Sequence, residues 1–255
     1  MTLLLFAVWT AAPAWAADDA RALLQRAEQL HRSSTQEYAG ELTVVAKTGK
    51  TRHKGWKSYR EGYAGDAKNL IRFVDPPEVK GVGYLSIART DKHADQWLYL
   101  PSMKRERRIA SQDRDSSFVG TDFNYEDLEE FDHTKYRVTQ QDDQVLDGQP
   151  CVVIEALPRV REGDSVYEKK ILFLRRDLLY LVREDLFRRG GKTPEKRLEF
   201  SNLQHIDGHW VARTMTMTDL VKGSTTTILL QSVAFDRPQP PDRFTLQNLN
   251  REGGD

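Results

Sequence analysis

Apolar positions recur at helical spacing near the start of the chain and at strand spacing along most of the rest. Ala20, Leu23, Leu24, Ala27 and Leu30 fall on one stripe of an amphipathic helix over residues 18–32, with acids at its start and Arg32 near its end. Such a helix needs a surface to lie on. From residue 41 onward, short segments rich in Val, Ile, Thr, Tyr, Phe and Trp follow one another between turn residues: 41–47, 52–59, 69–75, 84–89, 96–100, 104–109, 136–142, 151–157, 167–175, 180–187, 195–206, 210–220 and 225–235. Thr48-Gly49-Lys50, Asp147-Gly148, Arg189-Gly190-Gly191 and Asp207-Gly208 have the glycine that a tight hairpin requires, so neighbours in sequence are expected to be neighbours in one antiparallel sheet. No strand alternates with a second long helix, which argues against a parallel α/β sheet and its cofactor crevice.

Residues 116–133 interrupt the pattern. Their opening is loop-like, residues 126–131 suit a short acidic helix, and the segment is expected to cross or cover the sheet, with Gly120 as a joint and Phe118, Phe123 and Tyr125 as apolar anchors. At the other end of the chain, Arg237-Pro238-Gln239-Pro240-Pro241 ends the last strand, and Phe244-Thr245-Leu246 is expected to add a small closing contact.

The first residues speak to compartment. Leu3 to Val8 form a short apolar core and Ala14-Trp15-Ala16 has the small residues read by a signal peptidase, so residues 1–16 are expected to be a signal peptide and residues 17–255 one exported, periplasmic domain beginning at Ala17. The apolar run is too short to span a bilayer, and no cysteine stands at the cleavage point to carry a lipid.

Composition narrows the function classes. Lys and Arg number 38 and so do Asp and Glu, leaving no net field to draw the protein to nucleic acid. Cys151 is the single cysteine, which excludes an internal disulfide, and its neighbours Pro150 to Ile154 read as a buried strand with an inert thiol. There is no Gly-Xaa-Ser-Xaa-Gly elbow, phosphate-cradling glycine loop or His-Glu-Xaa-Xaa-His run, so no enzyme activity, cofactor or metal is expected. His205 and His209 flank a turn, and two surface imidazoles are expected there in preference to a metal pair. Glu126, Asp127, Glu129, Glu130 and Asp132 read as a solvated helix face, not a calcium loop. The basic run from Lys104 to Arg108 is expected to pair with acids on neighbouring strands, with a grip on a phosphate or carboxylate as the alternative.

Aromatic residues are the remaining signal. Trp56, Tyr59, Phe73, Trp97, Tyr99, Phe118, Phe123, Tyr125 and Phe173 suit either a core or a shared ligand surface. A sheet of this many strands must curl, and one helix with one loop does not fill its concave face, so an apolar cavity fit for an acyl chain is expected.

Trp97-Leu98-Tyr99-Leu100-Pro101-Ser102-Met103-Lys104-Arg105, Arg107-Arg108-Ile109 and the stretch from Ser117 to Asp127 resemble the LolA-like outer membrane lipoprotein-sorting family. Phe73 to Pro77, Gly148 to Glu155, Tyr167 to Lys169, His209-Trp210 and Met215-Thr216-Met217 agree in order, and the likeness is nearest to a branch often encoded beside RND-type exporters. The resemblance implies an unclosed antiparallel β-barrel of about eleven strands with a helical lid over a hydrophobic cavity. It further implies a monomeric periplasmic carrier of lipoprotein or lipid acyl chains toward the outer membrane. The alternative is an accessory or sensory subunit of an exporter or envelope-stress pathway that engages an inner-membrane transporter. No lipid-contacting residue carries over from the characterised chaperone. The expected ligand-binding residues are Trp56, Phe73, Trp97, Tyr99, Phe118, Phe123, Tyr125, Met215 and Met217, and strand parity leaves open which face is inside, since Leu98 and Leu100 rival Trp97 and Tyr99.

Overall fold

The thirteen apolar segments become thirteen strands of one wholly antiparallel sheet. The computed structural model describes residues 20–90, 93–159 and 165–251; the expected signal peptide and the cleavage point at Ala16 and Ala17 lie outside them. The helix α1 (Ala20–His31) precedes β1 (Thr35–Val45), β2 (Thr51–Glu61), β3 (Lys68–Asp75), β4 (Gly83–Ile87), β5 (Asp95–Leu100) and β6 (Arg105–Arg108). A crossover then leads to β7 (Tyr136–Leu146), β8 (Gln149–Pro158), β9 (Lys169–Arg175), β10 (Tyr180–Phe187), β11 (Lys196–Ile206), β12 (His209–Asp219), β13 (Ser224–Phe235) and the short helix α2 (Leu246–Leu249). The strand number exceeds the eleven implied by family resemblance and equals that of the hydrophobic segments.

The strand order runs β6-β5-β4-β3-β2-β1-β13-β12-β11-β10-β9-β8-β7. The first and last strands thus lie together in the middle, paired from Gln36 with Phe235 to Val45 with Thr225. Two meanders spread outward from that pair, and their last members, β6 and β7, are the edges of an unclosed barrel bridged by the crossover of residues 109–135. β1 starts six residues earlier than its apolar pattern suggests, because Thr35 pairs with β2 and Gln36 to Gly40 pair on both sides, with β2 and β13. At Gly40 the pairing with β13 jumps, and a Cβ there would stand 2.0 Å from the Leu229 carbonyl oxygen, so only glycine fits.

Alternation along the strands settles the two faces. Leu98 packs inward with Trp56, Phe73 and Tyr84, whereas Trp97 and Tyr99 join Tyr59, Leu70 and Leu85 on the opposite face. That outer cluster is covered by Phe244 and Leu249, and Arg72 donates to the carbonyl oxygens of Asn248 and Leu249, so the expected closing contact at the C-terminus is present.

α1 lays Ala20, Leu23 and Leu24 on Val152, Ile154, Leu172 and Leu174. Leu30, expected on the same stripe, is 55% exposed. The last turn is instead fixed by His31, which donates from Nε2 to the Leu178 carbonyl at 3.0 Å and meets the Tyr180 ring edge-on at 5.0 Å. Near the first turn, Arg21 donates to the carbonyls of His133 and Tyr136.

Pairing is uneven around the barrel. β10 pairs with β11 only from Arg183 and Glu199 to Leu186 and Lys196, and β12 pairs with β13 only from Thr214 and Leu229 to Asp219 and Ser224. The tip of the β11–β12 hairpin, residues 200–213, therefore has its ladder bonds within itself and flares from both neighbours.

Candidate functional site

The inner face is filled unevenly. The crossover plugs one part of it: Phe118 meets Tyr84 at 5.3 Å and Tyr125 at 5.9 Å between ring centres, and Phe123, Trp56, Phe73 and Met217 are buried in the same cluster. The other part is a cavity of about 390 Å³ under α1 and the flared hairpin. Its apolar wall comes from Leu24 and Ala27 of α1, Leu172 and Leu174 of β9, Leu179 to Leu181, Phe200, Val211, Ala212 and Met215 of the hairpin arms, and Leu230 and Phe235 of β13. Its polar end is made by Glu28, His31, Arg60, Glu130 and His133. The volume lies in the usual range for small-ligand pockets, about 300–1,000 Å³, and the composition, apolar with a few convergent polar groups, is typical of one.

Of the expected ligand-binding residues, Met215 lines this cavity. Met217, two residues along the same face of β12, is already inside the packed cluster with Trp56, Phe73, Phe118, Phe123 and Tyr125. Trp97 and Tyr99 stand on the outer face under the C-terminal segment. Leu24, Leu172, Leu181, Val211 and Leu230 line the cavity but were not among the expected ligand-binding residues. Val211 was reachable, since it shares strand parity with Met215, but the others carry no mark that separates a cavity wall from a core.

The acids of the crossover overturn the expected solvated helix. Only Glu126–Leu128 forms a turn of 3-10 helix, after which Glu129 is extended. Each acid then turns toward a partner. Arg114 reaches Glu126 at 3.3 Å and Glu129 at 2.8 Å; Glu126 also accepts from Ser165 Oγ at 2.6 Å and the Val166 amide at 2.8 Å. Asp127 accepts from Lys196 Nζ at 3.0 Å and the Tyr167 hydroxyl at 2.7 Å, and Glu130 pairs with Arg60. Asp132 caps the next turn through the Thr134 amide. Upstream, Asp122 accepts from Thr226 Oγ1 at 2.6 Å and from Ser224. Moving this segment out of the barrel would strip these carboxylates of their donors, which favours a fixed plug over a movable cover for the crossover.

The polar end is tuned by burial. Burial lowers His31 below the ordinary imidazole value, against the opposing effect of its bond to Leu178. Tyr63, beside the Arg60 guanidinium, is pushed up to about 12, chiefly by burial and then by Glu130. Tyr38 is also raised by burial.

The other candidate chemistry resolves into structure. Arg108 pairs with Asp95 and Arg107 lies 3.5 Å from Asp113, the acid pairing expected of the basic run. His205 packs edge-on against Trp210 and His209 reaches Asp236 at 3.0 Å, on either side of the hairpin turn. Cys151 is fully buried, and burial raises its thiol. Among the described residues no group of three or more His, Cys, Asp or Glu side chains is placed to hold a metal ion.

A family model described as "uncharacterized protein" matches residues 65–251. The chain belongs to that family. Two solved structures match at similar strength. A domain from Vibrio parahaemolyticus described as an outer membrane lipoprotein-sorting protein is 28% identical, with a TM-score of 0.84 over 90% of this chain and 97% of its own. A DUF1329 family protein from Desulfovibrio piger is 26% identical, with a TM-score of 0.85 over 91% of this chain and 100% of its own. A LolA superfamily protein from Nitrosomonas europaea, 16% identical with a TM-score of 0.71 over 90% of this chain and 98% of its own, shares the fold. No curated protein matches the chain. The unclosed barrel with its covering helix is thus a LolA-like fold, with an apolar cavity between α1 and the flared hairpin.

Proposed function

We propose that the protein is a non-catalytic periplasmic carrier that binds an acyl chain of a lipoprotein or related lipid in this cavity for delivery toward the outer membrane. The observation that carries the reading is the apolar cavity of about 390 Å³ under a helix that rests on the barrel. Likeness to the Vibrio sorting domain supports it. The reading includes export, with residues 1–16 as the signal peptide and the rest as one domain. Energetics suits a releasable cargo. At about 0.8 kcal/mol per methylene, ten buried methylenes contribute about 8 kcal/mol before ordering costs, the free energy of a micromolar complex. A cavity of this size suits one chain, and several would need α1 to lift.

A second reading is an accessory or sensory subunit of an RND-type exporter. It is favoured by the turn between β12 and β13, where Val221 is 74% and Leu220 44% exposed, as a docking point for a protein. Mass spectrometry of the protein purified gently from the periplasm separates the two. Retained acylated species support the carrier; an empty cavity together with a stable complex containing an inner-membrane transporter supports the subunit and overturns the carrier.

A further inference from the structure

Strands β10 and β11 part after a short ladder. β10 pairs with β9 from Tyr180 to Phe187 but with β11 only from Arg183 to Leu186, and β11 pairs with β12 from Lys196 to Ile206 but with β10 only from Lys196 to Glu199. Both strands are bulged just beyond the last shared pair: the β9–β10 register passes over Val182, and the β11–β12 register passes over Asn202, whose φ is 54°. A bulge bends its strand, and these two turn β10 and β11 apart. Residues 180–182 and 200–206 therefore have no ladder partners across the gap.

The gap has open space on both faces. On the inner face is the apolar cavity; on the outer face is a groove of about 530 Å³ lined by Cys151, Val182, Ser201 and Asn202, of which Cys151 and Val182 belong to an outer cluster with Val153 and Phe173. Phe200 lines both spaces. On the inner side the Ala212 amide, which has no partner on β13, donates to the Tyr180 hydroxyl at 3.0 Å. Side chains, in place of ladder bonds, span the gap, and side chains change rotamer far faster than a sheet opens.

The groove differs from the cavity in chemistry. Arg175 and Arg183 line it, but Asp177 and Asp185 hold them, Arg197 shares Asp185, and Asp143 pairs with Arg176 nearby. Asp147 and Glu199 also line the groove, so it has no excess of positive charge for a phosphate or carboxylate. Two open strand edges beside Gln149, Ser201, Asn202 and Thr216 offer neutral donors and acceptors along a line, which an extended peptide matches.

We infer that the acyl site continues through the sheet: the chain lies in the cavity, passes Phe200 between β10 and β11, and the short peptide that bears it pairs as an extended strand with the open edge of β11. This rests on the cavity being an acyl site, and the test keeps the two ideas apart. Calorimetric titration of the chain from residue 17 would compare a dodecanoyl tripeptide amide of glycine and two serines with N-methyldodecanamide, which has the same chain and the same first amide. The lipopeptide should bind about tenfold more tightly, the value of one or two added hydrogen bonds. In the wild type, the amides of residues 200–206 should exchange more slowly with the lipopeptide bound than with N-methyldodecanamide bound. Ser201→Cys puts a thiol at the exposed groove while Cys151 stays fully buried; saturating lipopeptide should slow its alkylation about fivefold and leave that of Thr48→Cys, on the exposed β1–β2 turn, within about twofold. If Ser201→Cys does not fold, the wild-type exchange decides alone. Binding of the lipopeptide without slower exchange in residues 200–206, whatever its affinity, overturns the passage through the sheet and leaves the acyl site standing; failure of both probes to bind overturns both.

Discussion

Lys196 Nζ lies 3.0 Å from Asp127 Oδ2, both side chains almost wholly removed from solvent, and this pair fastens the crossover to β11. Asp127 is further held by the Tyr167 hydroxyl and by the Asn124 amide at 2.8 Å, so the carboxylate has a full set of donors. Lys196→Met would leave a buried carboxylate without its cation, and unfolding in urea should show a loss of about 3–5 kcal/mol, of which Lys196→Met with Asp127→Asn recovers most. A single-variant loss under about 1 kcal/mol, the ordinary worth of an exposed pair, would mean that the crossover is not held this way.

Hydrogen exchange should rank the two covers. The Phe118 amide donates to the Phe123 carbonyl and the Asp122 amide to Thr226 Oγ1, inside a buried cluster, so residues 118–123 are expected to be protected like the strands around them. α1, resting on one patch, is expected to exchange faster and to slow when a chain is bound. Fast exchange in the crossover that responds to ligand would return the role of moving cover to that segment.

Filling the cavity should be separable from damaging the core. Ala27 lines the cavity from α1, so Ala27→Trp is expected to leave the thermal midpoint within a few degrees of wild type while lowering affinity for a fluorescent fatty-acid analogue at least tenfold. Met215→Asp should weaken binding too. Trp97→Asp, on the outer face, should leave affinity unchanged even where it loosens the C-terminal segment. Equal effects of the inner and outer substitutions would refute this placement of the site.

Acid should weaken one specific clamp. Asp236 accepts from the Ser34 hydroxyl and amide at 2.7 and 2.6 Å and from His209, and these bonds, with Ser34 foremost, hold its carboxyl down to about 2. A carboxylate held below its unfolded value of about 3.9 stabilises the fold above that pH, and the contribution fades as pH falls from about 4 to 2. The melting difference between wild type and Asp236→Asn should therefore be present at pH 5 and fade almost to nothing as pH falls to about 2. A difference that persists there would assign the effect to something other than this ionisation.

The sheet was largely readable before the structure because a strand's period of two is a local signal. All thirteen segments appear in their expected order, and Asp207-Gly208 turns the hairpin that its glycine suggested. The inner face was not readable around Trp97-Leu98-Tyr99-Leu100, because both parities there are apolar and the outer one is covered by Phe244 and Leu249, which follow more than 140 residues later. For the same reason Glu126, Asp127, Glu129 and Glu130 resembled a solvated face: Lys196 and Arg60, which bury two of them, are 69 and 70 residues away. Most of the cavity's lining fell outside the expected ligand-binding residues because the crossover's aromatics occupy the space those residues face, and what remains is lined by aliphatic residues of α1, β9 and β13 with other aromatics such as Phe200, Trp210 and Phe235.

The pairing of β1 with β13 also imposes an order in time. A chain made or threaded from its N-terminus presents β1 first, yet one of its two neighbours is the last strand to appear, and closing Val45 onto Thr225 encloses about 180 residues. Until then β1 has only β2 beside it, and half of its backbone donors and acceptors face water or a wrong strand. The middle of the sheet is thus the last part to be completed, and a chain cut short before residue 224 would leave that edge open to other chains.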